Sequence, residues 1–248
     1  MLADANAPMG LGKIAALAGM SASKSRRYLV SFCRVGLVEQ DSETGLYDLG
    51  WFALRLGLRA QARLSLVKQS RPILQEVRRL LDASVALVTW TQSGPTVVSF
   101  EENGRGILTL VAQLGATLPI LSTAAGRICG AFLPREVLTE TLEREIQHPV
   151  RSSDKDPAEG RIITMDEAWQ LLEEVREQGL ARTEGEGALG LATMAAPILG
   201  ANQHLVGVLV ALAFERNLDL AWDGQIATTL RQYASDIARR VGHNPGND

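Results

Sequence analysis

Residues 5–38 contain no acidic side chain, although five basic residues lie among them: Lys13, Lys24, Arg26, Arg27 and Arg34. The whole chain has a formal net charge of −3, because its 28 acidic residues outnumber its 25 lysines and arginines. A local basic segment on an acidic chain is typical of a small DNA-binding unit attached to a larger unit that does not bind DNA. The alternative is a solvated basic face without a partner.

This basic stretch has the pattern of two short helices joined by a tight turn. Leu11–Ala18 predicts the first helix, Gly19 the turn, and Ser21 the N-cap of the second helix. Ala22–Val35 predicts that second helix, and Gly36 ends it in the C′ position. Its apolar side chains recur at three- and four-residue spacing, which predicts one buried stripe of Tyr28, Leu29, Phe32 and Cys33. Two helices so joined have a helix-turn-helix pattern.

A β-hairpin is predicted next, from the apolar runs Leu37–Gln40 and Leu46–Leu49 around a turn that ends at Gly45. Residues 1–50 are therefore expected to form a winged helix-turn-helix domain. Residues 51–71 are expected to be a linker, with a helix over Trp51–Leu66 and a further helix that has Pro72 near its start.

Residues 72–248 alternate between strand and helix patterns, which predicts an α+β domain with a helix-covered antiparallel sheet. The predicted strands are Val85–Thr91 and Thr96–Phe100 as a hairpin, Gly106–Ala112, and the two central strands Thr193–Leu199 and Leu205–Phe214. The predicted helices are Thr123–Phe132 with Thr123 as N-cap, Arg135–Ile146, one from a capping box at Thr164 to Gln178 that Gly179 ends, and Asp223–Val241.

The predicted DNA-binding residues lie mainly on the first turns of the second helix: Ser21, Ser23, Lys24, Arg26 and Arg27, with Arg34 near its end. The N-terminal residues of a recognition helix read base edges, and nearby hydroxyls and cations hold phosphates. An arginine can bind guanine through two hydrogen bonds, whereas serine mostly positions the helix. Double-stranded DNA is therefore the predicted partner of this helix.

Few residues favour catalysis, and no catalytic residue, metal ligand or cofactor is expected. The three histidines do not lie at metal-ligand spacing, and the chain has no Gly-x-Ser-x-Gly motif. Gly185–Gly190 lacks the Lys-Ser/Thr pair of a phosphate loop, so a turn is predicted there. Cys33 and Cys129 are too few for a disulfide scaffold and are predicted to be core residues.

Membrane insertion is not expected either. The longest strongly apolar run, Leu205–Phe214, has 10 residues, about half of a membrane span. The N-terminus lacks the basic and apolar regions of a signal peptide, so a cytoplasmic location is expected.

Leu118–Arg127 contains a hydroxyl pair, Ser122 and Thr123, followed by two alanines at a predicted helix start. Accessible backbone N–H groups at such a start can bind a carboxylate or another anion. The alternative is an ordinary capped helix whose alanines pack closely, and these residues favour neither over the other.

The chain resembles the IclR-type transcriptional regulators over nearly its whole length. In the first 50 residues the resemblance rests on Leu11–Ala15 through Arg27–Leu29, Gly36–Val38 and Gly45–Gly50. Further along, Gly115–Pro119 and Thr123–Arg127 resemble the family's "G…LP…TA-GR/K" signature. Gly179–Ala181 and Gly190 with Ala195–Ile198 resemble its "RGY…G…AAPI" stretch.

This resemblance implies a homodimer or a dimer of dimers that binds operator DNA through paired winged heads. It also implies a GAF-like domain that binds a small-molecule effector. Matching the family's pocket onto this sequence gives Ala124, Ala125, Thr183, Thr193, Val210 and Leu212. Relatives that bind small organic acids tend to have polar residues at the last two positions, so an apolar or aromatic organic acid is expected here.

One departure from the family pattern concerns the N-terminus. The family's winged domain normally begins with a further helix, but here ten residues precede Leu11, and Pro8 is among them. That first helix is therefore expected to be largely missing. The second hypothesis for function follows from this departure: a metabolite-binding dimerisation module with impaired DNA binding.

Overall fold

The computed structural model of the chain describes residues 2, 3, 5, 7–104, 113–148, 164–184, 191–200, 203–214 and 218–242. The chain divides into two compact units, Met1–Leu64 and Ser65–Asp248, called here the head and the body. The predicted strand Gly106–Ala112 and the predicted turn Gly185–Gly190 lie outside the described residues.

The head contains the predicted helix-turn-helix and hairpin, in the order α1 (Leu11–Leu17), α2 (Ala22–Arg34), β1 (Val38–Gln40), β2 (Tyr47–Leu49) and α3 (Trp51–Arg63). The two strands are antiparallel, and Glu39 lies opposite Asp48. Met9 pairs with the outer side of this hairpin through two N–H···O bonds of 2.9 Å, one in each direction, with Tyr47. Met9, in the segment before α1, therefore adds a single-residue bridge to the two strands of the wing.

A small apolar core holds the head together, formed by Met9, Ile14, Leu29, Val38 and Tyr47. The predicted stripe of α2 is wrong for two members, because Tyr28 and Phe32 are 49% and 40% exposed. The buried line runs instead through Ser25 and Leu29 to the half-buried Cys33. A helix turns by about 100° per residue, so Tyr28 and Phe32 lie to one side of that line, where the described part of the head leaves them uncovered.

Two glycines fix the junction between α2, the wing and α3. Gly36 has φ of 71°, and the amides after α2 donate to its last carbonyls: Gly36 N to Cys33 O and Leu37 N to Phe32 O, both 3.0 Å. This is the predicted glycine C-cap. At Gly50 a Cβ would lie 2.3 Å from the Gly36 carbonyl oxygen, so only glycine fits this close backbone approach.

The body is a five-stranded antiparallel sheet of order β4-β3-β7-β6-β5 with helices on both faces. Its elements are α4 (Ser65–Leu81), β3 (Ser84–Thr91), β4 (Gly94–Glu101), α5 (Ala124–Phe132), α6 (Arg135–Gln147), α7 (Met165–Gln178), β5 (Ala181–Glu184), β6 (Leu191–Leu199), β7 (Leu205–Phe214) and α8 (Gln225–Gly242). The predicted fold class, including the two predicted central strands, is confirmed.

The two faces of the sheet are covered by different helices, as the alternation of side chains along β7 requires. Leu209 and Ala211 belong to a core shared with α4 and α8. Val208, Val210 and Leu212 belong to the opposite core, which α5 and α7 complete. Helix α6 packs against α7 and the segment before α5, through Leu138 and Leu142.

The helix break near the boundary between the units differs from the prediction. A helix was expected over Trp51–Leu66 and another with Pro72 near its start, but α3 ends at Arg63 and α4 already begins at Ser65. Pro72 therefore lies inside α4. The reason is packing, because the buried stripe of α4 continues through the proline as Leu66, Ser70, Ile73, Leu74 and Val77.

None of the helices in the described ranges is long and apolar enough to cross a membrane.

Candidate DNA-binding helix and effector site

The N-terminal end of α2 is an open, positively charged surface of the head. Ser21 is the N-cap, and its hydroxyl accepts a hydrogen bond of 3.3 Å from the Lys24 amide. All six predicted DNA-binding residues are exposed: Ser21, Ser23, Lys24, Arg26, Arg27 and Arg34. No acidic residue lies in the first turn. The helix dipole and the cations nearest this end, Lys24, Arg26 and Arg27, therefore favour a bound anion there, whereas Arg34 lies in the last turn.

The wing has the opposite charge, a feature that the sequence interpretation missed although it is visible in the sequence. Residues 37–50 contain four carboxylates, Glu39, Asp41, Glu43 and Asp48, and no lysine or arginine. Asp41 shapes the turn, because its Oδ1 accepts from Thr44 N at 2.7 Å and from Glu43 N and Thr44 Oγ1 at 2.9 Å. These hydrogen bonds lower the pKa of Asp41, and the bond from the Thr44 amide has the largest effect.

The six predicted effector-binding residues lie on one face of the body sheet. Ala124, Ala125, Val210 and Leu212 belong to the core between the sheet and α5. Thr193 lies between Leu191 and Ala195 of that core and so has the same orientation on β6. Thr183 is its partner on β5, and the two hydroxyl oxygens are 2.7 Å apart. The face thus combines an apolar wall with one hydroxyl pair.

The first turn of α5 faces this wall. Thr123 is the N-cap, as predicted; its hydroxyl accepts from Gly126 N at 3.0 Å and donates to the Pro119 carbonyl at 2.6 Å. Ala124 and Ala125 are buried, with 1% and 2% exposure. A Cβ at position 126 would lie 2.0 Å from the Pro119 oxygen, so glycine is required there. Small residues therefore let the approaching segment lie directly on the helix start.

Two charged side chains that the sequence interpretation did not assign to the site hold this segment. Glu145 on α6 accepts from Ile120 N at 2.7 Å and from Leu121 N at 3.0 Å. Arg127 on α5 donates from Nε to Leu121 O at 2.8 Å and from Nη1 to Arg182 O on β5 at 3.1 Å. Glu145 lies 25 positions from Ile120, so no local pattern predicts their contact.

Burial raises the pKa of Glu145, and the hydrogen bonds from the Ile120 and Leu121 amides and the charge of Arg144 oppose this shift. The carboxylate is therefore less favourable here than in water, although two amides stabilise it.

The two cysteines differ in burial. Cys129 is fully buried on α5, and burial raises the pKa of its thiol to about 12. Cys33 is half-buried on α2. Within the described ranges, no group of three or more histidine, cysteine, aspartate or glutamate side chains is placed to hold a metal ion.

A winged helix-turn-helix head with an exposed basic helix, joined to a sheet-and-helix body, defines a class of two-domain transcriptional regulators. The family model for the bacterial transcriptional regulator IclR C-terminal domain matches residues 59–239, and the model for the IclR helix-turn-helix domain matches residues 1–42. The chain belongs to the IclR family of transcriptional regulators, as its motifs predicted.

Individual relatives match nearly the whole chain. The glycerol operon regulatory protein of Streptomyces coelicolor is 28% identical over 251 residues, which cover 99% of this chain and 92% of that protein. The crystal structure of HmgR from Pseudomonas aeruginosa has 30% identity and a TM-score of 0.61, covering 98% of this chain and 94% of that one. An IclR homologue from Microbacterium hydrocarbonoxydans complexed with 4-hydroxybenzoate shares the fold, with 19% identity, a TM-score of 0.71, and coverage of 94% and 91%.

Proposed function

We propose that this chain is an effector-controlled regulator that binds operator DNA through α2 and an apolar or aromatic organic acid in its body. The observation that carries the proposal is the convergence of six residues, from α5 and three strands, on one apolar face with a hydroxyl pair. Occupancy of this site changes the spacing or mobility of paired heads in a homodimer or dimer of dimers, and with it the affinity for two half-sites.

The DNA-binding part of the proposal is supported by the exposure of Ser23, Lys24, Arg26 and Arg27 on the open side of α2. The same helix buries Leu29 and Ser25 in the head, while these four side chains stay exposed. An arginine on such a helix is expected to contact a guanine or a phosphate, and phosphate contacts make binding depend on salt.

Fluorescence anisotropy with an operator selected from a randomised duplex library tests this part. Arg26→Ala and Arg27→Ala are each expected to weaken binding about tenfold and to reduce the slope of log affinity against log salt by about 1. Lys68→Ala is the control, because Lys68 is an exposed cation of the body. Unchanged affinity in both arginine variants would show that α2 is not the DNA-binding helix.

The effector part is supported by complementary chemistry at the two ends of the site. The backbone N–H groups of Ala124 and Ala125 begin α5 and suit a carboxylate. Val210 and Leu212 offer an apolar wall for a ring or an alkyl group. The 4-hydroxybenzoate complex of the Microbacterium hydrocarbonoxydans homologue supports an aromatic acid. Glycerol, which appears in the name of the glycerol operon regulatory protein, is a polar compound to test against it.

Isothermal titration calorimetry with 4-hydroxybenzoate, glycerol and glycolate separates these ligand classes. We expect 4-hydroxybenzoate to bind and Leu212→Ser to weaken it about tenfold, because a polar wall disfavours the ring. Val137→Ser is the control, since Val137 is an exposed apolar residue of α6. Binding of glycolate or glycerol alone would contradict the proposed effector class.

One observation favours the second function, a metabolite-binding dimerisation module with impaired DNA binding. The described part of the head buries only six apolar residues, while Tyr28 and Phe32 of α2 stay exposed. In the experiments above, effector binding without operator binding at any salt concentration would favour this function. Light scattering of the same samples would give the oligomeric state that both functions require.

A further inference from the structure

We infer that Glu145 is a positioning residue of the effector site: from α6 it holds the segment 119–123, and thereby the first turn of α5, in place. The inference rests on the proposed function, because the site that Glu145 positions is the one proposed for the effector. Glu145 itself does not belong to the six residues of that site.

Both carboxylate oxygens of Glu145 accept hydrogen bonds from consecutive backbone amides, an arrangement called here the Glu145 clamp. Oε1 of Glu145 accepts from Ile120 N at 2.7 Å, and Oε2 accepts from Leu121 N at 3.0 Å. Hydrogen bonds from peptide N–H groups to a carboxylate are roughly twice as strong as those between neutral groups. One side chain therefore fixes two consecutive peptide units just before the helix that carries Ala124 and Ala125.

The clamped segment cannot move without the helix start. The Thr123 hydroxyl donates to Pro119 O at 2.6 Å, and Arg127 Nε donates to Leu121 O at 2.8 Å. The backbone of residue 119 also lies so close to Gly126 that a Cβ there would meet it at 2.0 Å. A displacement of the Ile120 and Leu121 amides is thus passed to the N-cap and the first turn of α5.

The Glu145 carboxylate is partly buried beside an apolar contact. Leu138 and Leu142 on the same helix are fully buried, and Glu145 lies beside this apolar contact. Burial disfavours the ionised form, as the direction of its pKa shift indicates. The two amide hydrogen bonds offset this cost only while the segment 119–123 keeps its position, so the burial of Glu145 is coupled to that position.

The experiment compares Glu145→Gln in the full chain with a matched control, Glu143→Gln. Glu143 is an exposed glutamate two positions away on α6. In NMR spectra without ligand, Glu145→Gln is expected to raise amide exchange at Ile120, Leu121 and Gly126 about tenfold and to shift the Ala124 and Ala125 resonances. Calorimetry with 4-hydroxybenzoate, at a temperature at which both variants are folded, is expected to give about tenfold weaker binding.

These readouts separate positioning from a merely structural role, which would lower Tm and leave the affinity of the folded protein unchanged. If the wild type does not bind 4-hydroxybenzoate, the proposed effector class fails, and the ligand-free NMR comparison still decides the role of Glu145. Unchanged Ala124 and Ala125 resonances with unchanged exchange at Gly126 would overturn the inference. Glu145→Asp keeps the charge on a shorter side chain. It should also weaken ligand binding, because its oxygens no longer reach both amides.

Discussion

Thr183 and Thr193 lie directly opposite each other on β5 and β6, and their hydroxyl oxygens are hydrogen-bonded at 2.7 Å. Thr183 is only 5% exposed. Thr193→Val should therefore lower the free energy of unfolding by about 1–2 kcal/mol, because it leaves a buried hydroxyl without its partner. The double variant Thr183→Val/Thr193→Val should be closer to wild type in urea denaturation. A double variant at least as unstable as the single one would contradict this account.

Ser70 on α4 offers a way to stabilise the body. Its hydroxyl is fully buried and has no hydrogen-bond partner in the structure as described. Ser70→Ala removes this unpaired group and should raise the free energy of unfolding by about 1 kcal/mol or more. Ser235→Ala on α8, where the serine is exposed, should change it only by the difference in helix propensity, about 0.5 kcal/mol. If urea denaturation showed the same gain in the free energy of unfolding for both variants, helix propensity alone would explain it.

Gly50 and Gly57 make a matched pair within the head. A Cβ at position 50 would meet the Gly36 carbonyl oxygen at 2.3 Å, whereas a Cβ at position 57 would meet nothing within 4 Å. Gly50→Ala should destabilise the head by about 1–3 kcal/mol through overpacking. Gly57→Ala should stabilise α3 by about 0.5–1 kcal/mol. Hydrogen exchange of head amides in the full chain measures both effects, and a stabilising Gly50→Ala would contradict the close approach.

The pH dependence of stability should reveal Glu145. Its folded pKa is raised, so stability is greatest below the unfolded pKa and is lost as the pH rises from the unfolded pKa through the folded one. Arg144 and the amides of Ile120 and Leu121 oppose this effect without cancelling it. Thermal melts from pH 4 to 7 should therefore show Glu145→Gln gaining stability over wild type as the pH rises. If the advantage of Glu145→Gln over wild type grew as the pH fell, the pKa of Glu145 would not be raised in the folded state.

The acidic wing should limit the affinity of the head for DNA. Its four carboxylates follow directly on the basic helix α2, and a wing beside a recognition helix lies near the phosphate backbone. Glu43→Lys should strengthen operator binding about threefold to tenfold and steepen its salt dependence. Glu140→Lys, on an exposed position of α6 in the body, is the control in the same anisotropy assay. Equal effects of both variants would point to net charge alone.

The elements with strong local signals were predictable from the sequence. Ser21, Thr123 and Thr164 cap their helices as expected, and Gly36 and Gly179 end theirs with positive φ. Each of these features depends on a few adjacent residues, because capping is a contact between a side chain and a nearby amide.

The features that were wrong or missed depend on contacts between distant segments. Pro72 predicted a helix start, but the buried stripe of α4 continues through it. Tyr28 and Phe32 have the spacing of a buried stripe, but no other described element of the head covers them. The Glu145 clamp joins α6 to residues far back in the chain. The effector residues came from the family pattern, because their shared face exists only in the assembled sheet.

The order of strands in the body has a consequence for how the protein is made. Strand β7 occupies the centre of the sheet, and Thr89 on β3 donates to Val206 O across 117 positions of sequence at 3.2 Å. The sheet cannot form completely until β7, which lies near the end of the chain, has left the ribosome. The contacts of the head are local by comparison. A premature stop codon before β7 would therefore remove the middle of the sheet and leave β3 with an unpaired edge, which chaperones or other chains can bind.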